Sequence, residues 1–65
     1  MVKTRKWHED FRTKAQMTQV QLAEATGIAQ NTVASIETGE RNPSVPTAKK
    51  IASALGFDWQ KFYEE

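Results

Sequence analysis

An all-α fold of five short helices is what this sequence predicts, and three observations carry that reading. Residues that favour helix starts, Thr18, Ser44 and Asp58, stand ahead of three of the segments. Glycines stand where three of them stop, at Gly27, Gly39 and Gly56. The longest apolar pattern, Val45, Ala48, Ile51, Ala52 and Leu55, keeps the spacing of one helix face.

The first helix is predicted over Arg5 to Ala15, with Trp7 and Phe11 one turn apart and Ala15 continuing their face. Thr18 opens the second. Its hydroxyl can accept from free amides of a new helix while Gln21, three residues on, reaches back, which makes Thr18-Gln19-Val20-Gln21 a capping box. Met17 and Leu22 are spaced to staple that end, and Leu22, Ala23 and Thr26 form a narrow inward face, so the helix should run from Gln19 to Thr26. Gly27 has no Cβ to clash in a left-handed conformation, so the chain can stop and turn sharply there.

A third helix follows within a few residues, about Gln30 to Thr38, with Val33 and Ile36 inward, Ile28 and Val33 at staple positions and Gly39 at its end. Ser44 can cap a fourth, which Gly56 ends; Pro46 is tolerated because a first helical turn has no internal partner for the missing amide. Asp58 can cap a last short helix, with Phe57 and Phe62 at staple spacing.

Two helices joined by a glycine turn are the layout of a helix-turn-helix DNA reader. The outward face of the third helix carries Gln30, Asn31, Thr32 and Ser35. Asn and Gln present a paired donor and acceptor that match the N6 and N7 edge of adenine, while Thr and Ser can bond several bases or set a methyl against thymine. Arg41 follows in a polar loop, where it could hold a phosphate.

The run TQVQLAEATGIAQNTVASIETGERNPS, continued through IASALG, resembles the Cro/C1-type (XRE) helix-turn-helix family of phage repressors and bacterial regulators. Thr18-Gln19, Leu22-Ala23, Gly27, Val33, Ile36-Glu37, Gly39, Asn42-Pro43-Ser44 and Leu55-Gly56 match together, and the likeness covers nearly the whole chain. The resemblance implies a compact five-helix, lambda-repressor-like domain whose third helix enters the major groove. Carried over by position, Gln30, Asn31 and Ser35, with Thr32 in support, would contact bases, and Thr18, Gln19, Arg41 and Asn42 would lie against phosphates. It also implies a structural ion pair between Arg12 and Glu37.

Two departures from the family pattern stand out. Ala29 occupies the cap position of the third helix, where the family usually has Ser or Thr; without an acceptor that end should be weaker by about 0.5 to 2 kcal/mol. The span from Ala15 to Ala48 holds one basic residue, Arg41, against Glu24, Glu37 and Glu40, an odd balance for a surface facing phosphates. Positive charge gathers instead at Lys3, Arg5, Lys6, Arg12 and Lys14, opposed by Glu9 and Asp10. Residues 1–5 therefore read either as a flexible basic arm that tracks DNA or as a solvated end leading into the first helix.

Sixty-five residues make one domain with a limited core, and a net charge of +1 implies modest nonspecific affinity for DNA. There is no cysteine, so neither a disulfide framework nor a thiolate metal site is expected. No apolar run has membrane-spanning length and no signal peptide is apparent, so a cytoplasmic location, bacterial or phage in origin, is the simplest reading. Enzymatic readings find little support: His8 is the single histidine and is expected to be solvated, and Glu9 and Asp10 point in different directions on a helix. Lys49 and Lys50 read as a solvated face.

Phe57, Trp59, Phe62 and Tyr63 crowd a helix too short to bury them all internally, which points to a two-fold dimer through this end, though the rings could instead cap the core of one chain. The function expected is sequence-specific binding of double-stranded DNA, at an inverted-repeat operator, by a homodimeric repressor, with no cofactor, metal, membrane or small-molecule ligand. An interaction module that binds an antirepressor or a toxin is the alternative.

Overall fold

Residues 4–64 are described by the computed structural model, and every regular element among them is helical. The α-helices are α1 (Lys6–Lys14), α2 (Gln19–Thr26), α3 (Gln30–Thr38) and α4 (Val45–Leu55), and a 3-10 helix, Trp59–Tyr63, closes the chain. That last segment was expected as a helix and forms the tighter kind. Asp58 accepts from the Gln60 amide at 3.0 Å, and five residues are too few for i to i+4 bonds to accumulate.

Local signals set the helix ends. Thr18 Oγ1 accepts from the Gln21 amide at 3.1 Å, and Gln21 Oε1 accepts from the Thr18 amide at 2.9 Å, closing the capping box. Gly27 adopts φ 72°, and its amide reaches the Ala23 carbonyl at 2.9 Å, so α2 ends and the chain turns within three residues into α3. Ala29 makes no side-chain cap. The turn from α1 to α2 is made without glycine: Gln16 takes φ 61° itself, while the Met17 amide bonds the Arg12 carbonyl at 3.1 Å.

Leu22, Val33, Ile36, Ala48 and Ile51, from α2, α3 and α4, are fully buried and form the centre of the core. Val45, at the head of the α4 stripe, sits in the first turn and remains 43% exposed. Over the core lie the rings of α1 and the carboxyl end. Trp7 meets Phe57 and Phe62 edge-on, at centroid distances of 5.3 and 5.1 Å, and Phe11 lies 4.9 Å from Phe57.

This packing answers how so short a terminal helix disposes of its rings. Phe62 is buried and Phe57 half-buried within the same chain, because α1 supplies the surface they need. Trp59 is half-buried, with Lys49 Nζ 5.2 Å from its ring centre, and Tyr63 remains exposed while its hydroxyl donates to the Pro43 carbonyl at 2.7 Å.

His8 departs from expectation outright: the side chain read as solvated is fully buried. It lies one turn before Arg12, and that face of α1 packs on the end of α3 rather than facing water. Arg5 departs too. Its amide donates to the Glu37 carbonyl at 2.8 Å and its guanidinium to the Ile36 and Arg41 carbonyls at 2.6 and 3.2 Å, so it caps the carboxyl end of α3 instead of trailing in an arm. Lys6 is held by Glu9 and Asp10, and Lys3 lies outside the described residues.

Candidate nucleic-acid interface

The geometry of α3 follows from which of its residues the core takes. Val33, Ile36 and Glu37 are buried, which turns Asn31, Ser35 and Thr38 the other way and leaves Gln30 and Thr32 on the flanks. Gln30 and Asn31 are exposed at the amino end; Thr32 and Ser35 are half-buried. Ala34 and Thr38 share the outward face at i+3 and i+7 from Asn31, and reasoning from polar side chains alone passed over them. Ala34, half-buried, offers a methyl at the edge of the face next to Gln30. The Thr38 hydroxyl lies 3.1 Å from both the Ser35 carbonyl and the Glu40 carboxylate, so Glu40 is drawn back toward the helix end.

Glu37 anchors this helix from beneath. Its Oε1 accepts from Arg12 Nε and His8 Nδ1, each at 2.9 Å, and its Oε2 accepts from Arg12 Nη2 at 3.2 Å and Gln19 Nε2 at 3.0 Å. Four donors on two oxygens fill a carboxylate's capacity. Burial pushes the Glu37 ionisation up, but the hydrogen bonds from Arg12, Gln19 and His8 and the charge of Arg12 outweigh it, so the group is held below the ordinary value of 4.5. Arg12 Nη1 also donates to the Met17 carbonyl at 2.8 Å, clipping the turn between α1 and α2. The surface charge therefore differs from the sequence count: Glu37 is matched inside the protein, leaving Arg41 against Glu24 and Glu40 on the span from Ala15 to Ala48.

The residues expected against phosphates fall into two groups. Thr18 is exposed at the amino end of α2, but its hydroxyl is engaged in the capping box; Gln19 beside it is half-buried with its amide on Glu37. Arg41 and Asn42 are exposed in the loop after α3. That loop is fastened on both sides, by Arg5 to the Arg41 carbonyl and Asn42 Oδ1 and by Tyr63 to the Pro43 carbonyl. Lys49 and Lys50 lie apart from these groups, beside an open groove between α2 and α4 lined also by Ala25, Thr26, Ser53 and Ala54. Among the described residues no group of His, Asp or Glu gathers at metal-binding distance, and no helix is long and apolar enough to cross a membrane.

The sequence profile of the Helix-turn-helix family matches residues 9–62, which takes in α2, the Gly27 turn, α3 and α4. The chain belongs to the Cro/C1-type helix-turn-helix family. The relatives of this Cro/C1-type domain include the uncharacterized HTH-type transcriptional regulator YqaF of Bacillus subtilis (strain 168), 43% identical over 61 residues that cover 94% of this chain and 80% of that protein. An uncharacterized HTH-type transcriptional regulator of Archaeoglobus fulgidus is 43% identical over 65 residues, covering 88% of this chain and 92% of its own. Another, from Methanothermobacter thermautotrophicus, is 38% identical over 47 residues, covering 72% and 68%. The family is not an enzymatic one.

Proposed function

We propose that this chain is a sequence-specific transcriptional regulator that binds double-stranded DNA, reads the major groove with α3 and represses as a homodimer. The observation that carries the reading is the amino end of α3, where Gln30 and Asn31 stand exposed on a helix whose opposite face is fixed by Val33, Ile36 and Glu37. Rigid placement matters, because a bidentate contact to a base edge requires both hydrogen bonds to be aligned at once. Ser35 and Thr32 extend the base contacts, while Thr18, Gln19, Arg41 and Asn42 hold phosphates. The naming of the relatives as HTH-type transcriptional regulators supports the regulatory role. Such a regulator works in the cytoplasm, on the DNA.

Size supports two copies. The longest extent of the domain is 28 Å, short of the roughly 34 Å between successive major grooves on one side of a duplex, so one copy reads one half-site. With Phe57 and Phe62 committed largely to the core, the contact between copies would use Tyr63, the uncovered edge of Trp59 and Val45.

Site selection from a random duplex library at near-physiological salt tests the assignment. An inverted repeat with half-sites about ten base pairs apart is expected, and Gln30→Ala with Asn31→Ala should abolish its recognition while the helical spectrum is unchanged. No enriched motif from demonstrably folded protein would turn the assignment toward an interaction module.

A further inference from the structure

Building on the DNA-reading role above, we propose that His8 is a positioning residue for DNA binding: its uncharged ring holds Glu37, and through Glu37 the Gln19 side chain at the start of α2, and proton uptake at its second nitrogen withdraws that support.

The ring is fully buried, and only one of its nitrogens has a partner. Nδ1 faces the Glu37 carboxylate at 2.9 Å, and because an ionised carboxylate only accepts, Nδ1 carries the hydrogen. Nε2 is then a bare lone pair with no hydrogen-bond partner. The Trp7 ring lies 6.0 Å away on one side and Phe62 5.8 Å on another. A proton placed on Nε2 would be a buried donor without an acceptor, and α1 would have to move outward to hydrate it. The charges acting on His8 are Glu37 from α3, Arg12 on α1 and Arg5 just before it; the 3-10 helix brings Lys61 to the Trp7 ring, its Nζ 5.2 Å from the ring centre. Moving α1 pulls Arg12 and His8 together from Glu37, which leaves the Gln19 amide held on a carboxylate that has lost its other partners.

Protonation and DNA binding therefore compete. Linkage requires the converse, that bound DNA makes His8 harder to protonate. The sign discriminates, since an added positive charge acting only by its field would tighten DNA binding as pH falls and would ease protonation in the complex. His8 is the single histidine, and no other side-chain type ordinarily titrates between pH 5.5 and 7, so a change of affinity in that window reports on it.

The test follows the His8 ring by NMR from pH 7 to pH 5, in the free protein and bound to the duplex recovered by site selection, with affinity measured by fluorescence anisotropy at constant ionic strength. Affinity is expected to fall about fivefold or more across the range, with the ring titrating at lower pH in the complex. His8→Asn, which keeps a donor near the Nδ1 position but cannot titrate, should flatten the profile; should that variant not fold, the wild-type titration decides alone. Identical ring titrations with and without DNA, tighter binding at low pH, or loss of the whole fold before affinity changes would each overturn the proposal. Binding to no duplex at any pH would remove the DNA-reading role itself, whereas pH-independent binding would remove only the part played by His8.

Discussion

Glu37 is the residue on which most depends, because its carboxylate joins α1, α2 and α3 through Arg12, His8 and Gln19. Replacing a buried pair by apolar groups can be neutral, but removing one partner leaves the other charge stranded, so Glu37→Ala is expected to cost about 3 kcal/mol or more, read from urea unfolding. A small domain has little stability in reserve, so that variant should be largely unfolded near 37 °C. Acid acts on the same site in two steps. Burial holds the His8 ionisation below its ordinary 6.5 despite the hydrogen bond and charge of Glu37, so as pH falls below 6.5 the unfolded chain takes a proton that the folded chain refuses, and stability declines. Glu37 is held below its ordinary 4.5, so its contribution is present above that value and is lost as pH falls through its lower folded value. Thermal melts should therefore be flat above about pH 7, sag toward pH 5 and drop steeply below it; His8→Phe, if it folds, should remove the first decline and leave the second.

At the scale of the elements, α3, like α1, lacks a side-chain cap at its amino end, although its carboxyl end is held by Arg5. Ala29 already has the extended backbone of a cap residue, φ −60° and ψ 142°, so Ala29→Ser should add about 1 kcal/mol and raise the melting temperature by roughly 4 to 8 °C. If calorimetry finds no gain, the amides of Asn31 and Thr32, which such a cap would engage, are already satisfied. The capping box, the staple residues and the αL glycine were readable because each joins residues within a few positions of one another. The ends of α2 and α3 accordingly fall where the residues place them. The terminal segment was less readable, because whether five residues wind as α or 3-10 depends on what they pack against.

For the whole molecule, charge and size set the terms of binding. With a net charge of +1, Lys6 paired and Arg5 and Arg12 committed to α3, Arg41 is the one cation on the span from Ala15 to Ala48 left to displace counterions from DNA. Log affinity against log salt should have a shallow slope, about −0.9 for each phosphate neutralised and only a few such contacts per copy. Sedimentation at tens of micromolar, with and without a two-half-site duplex, tests the dimer. Two copies per duplex are expected, and a single copy with DNA present would discard the two-fold arrangement.

The helix-turn-helix, its capped start, its glycine turn and the polar face of α3 were written in consecutive residues, because helix ends and turns are decided by contacts spanning about one turn of chain. Helical spacing also placed Val33 and Ile36 inward, and the family resemblance implied the pairing of Arg12 with Glu37. What no local pattern could show were contacts bridging long stretches of sequence: His8 with Glu37, 29 residues apart, Arg5 with the end of α3, 31 apart, and Tyr63 with Pro43, 20 apart. A histidine or an arginine near a chain end carries no mark of burial in its own neighbourhood. Whether it meets water or a carbonyl is settled only when another helix is laid across it, and here α3 and the aromatic carboxyl end, packed on α1, drew His8 into the interior and tied down Arg5 and Arg12 while Lys6 and Lys14 stayed exposed.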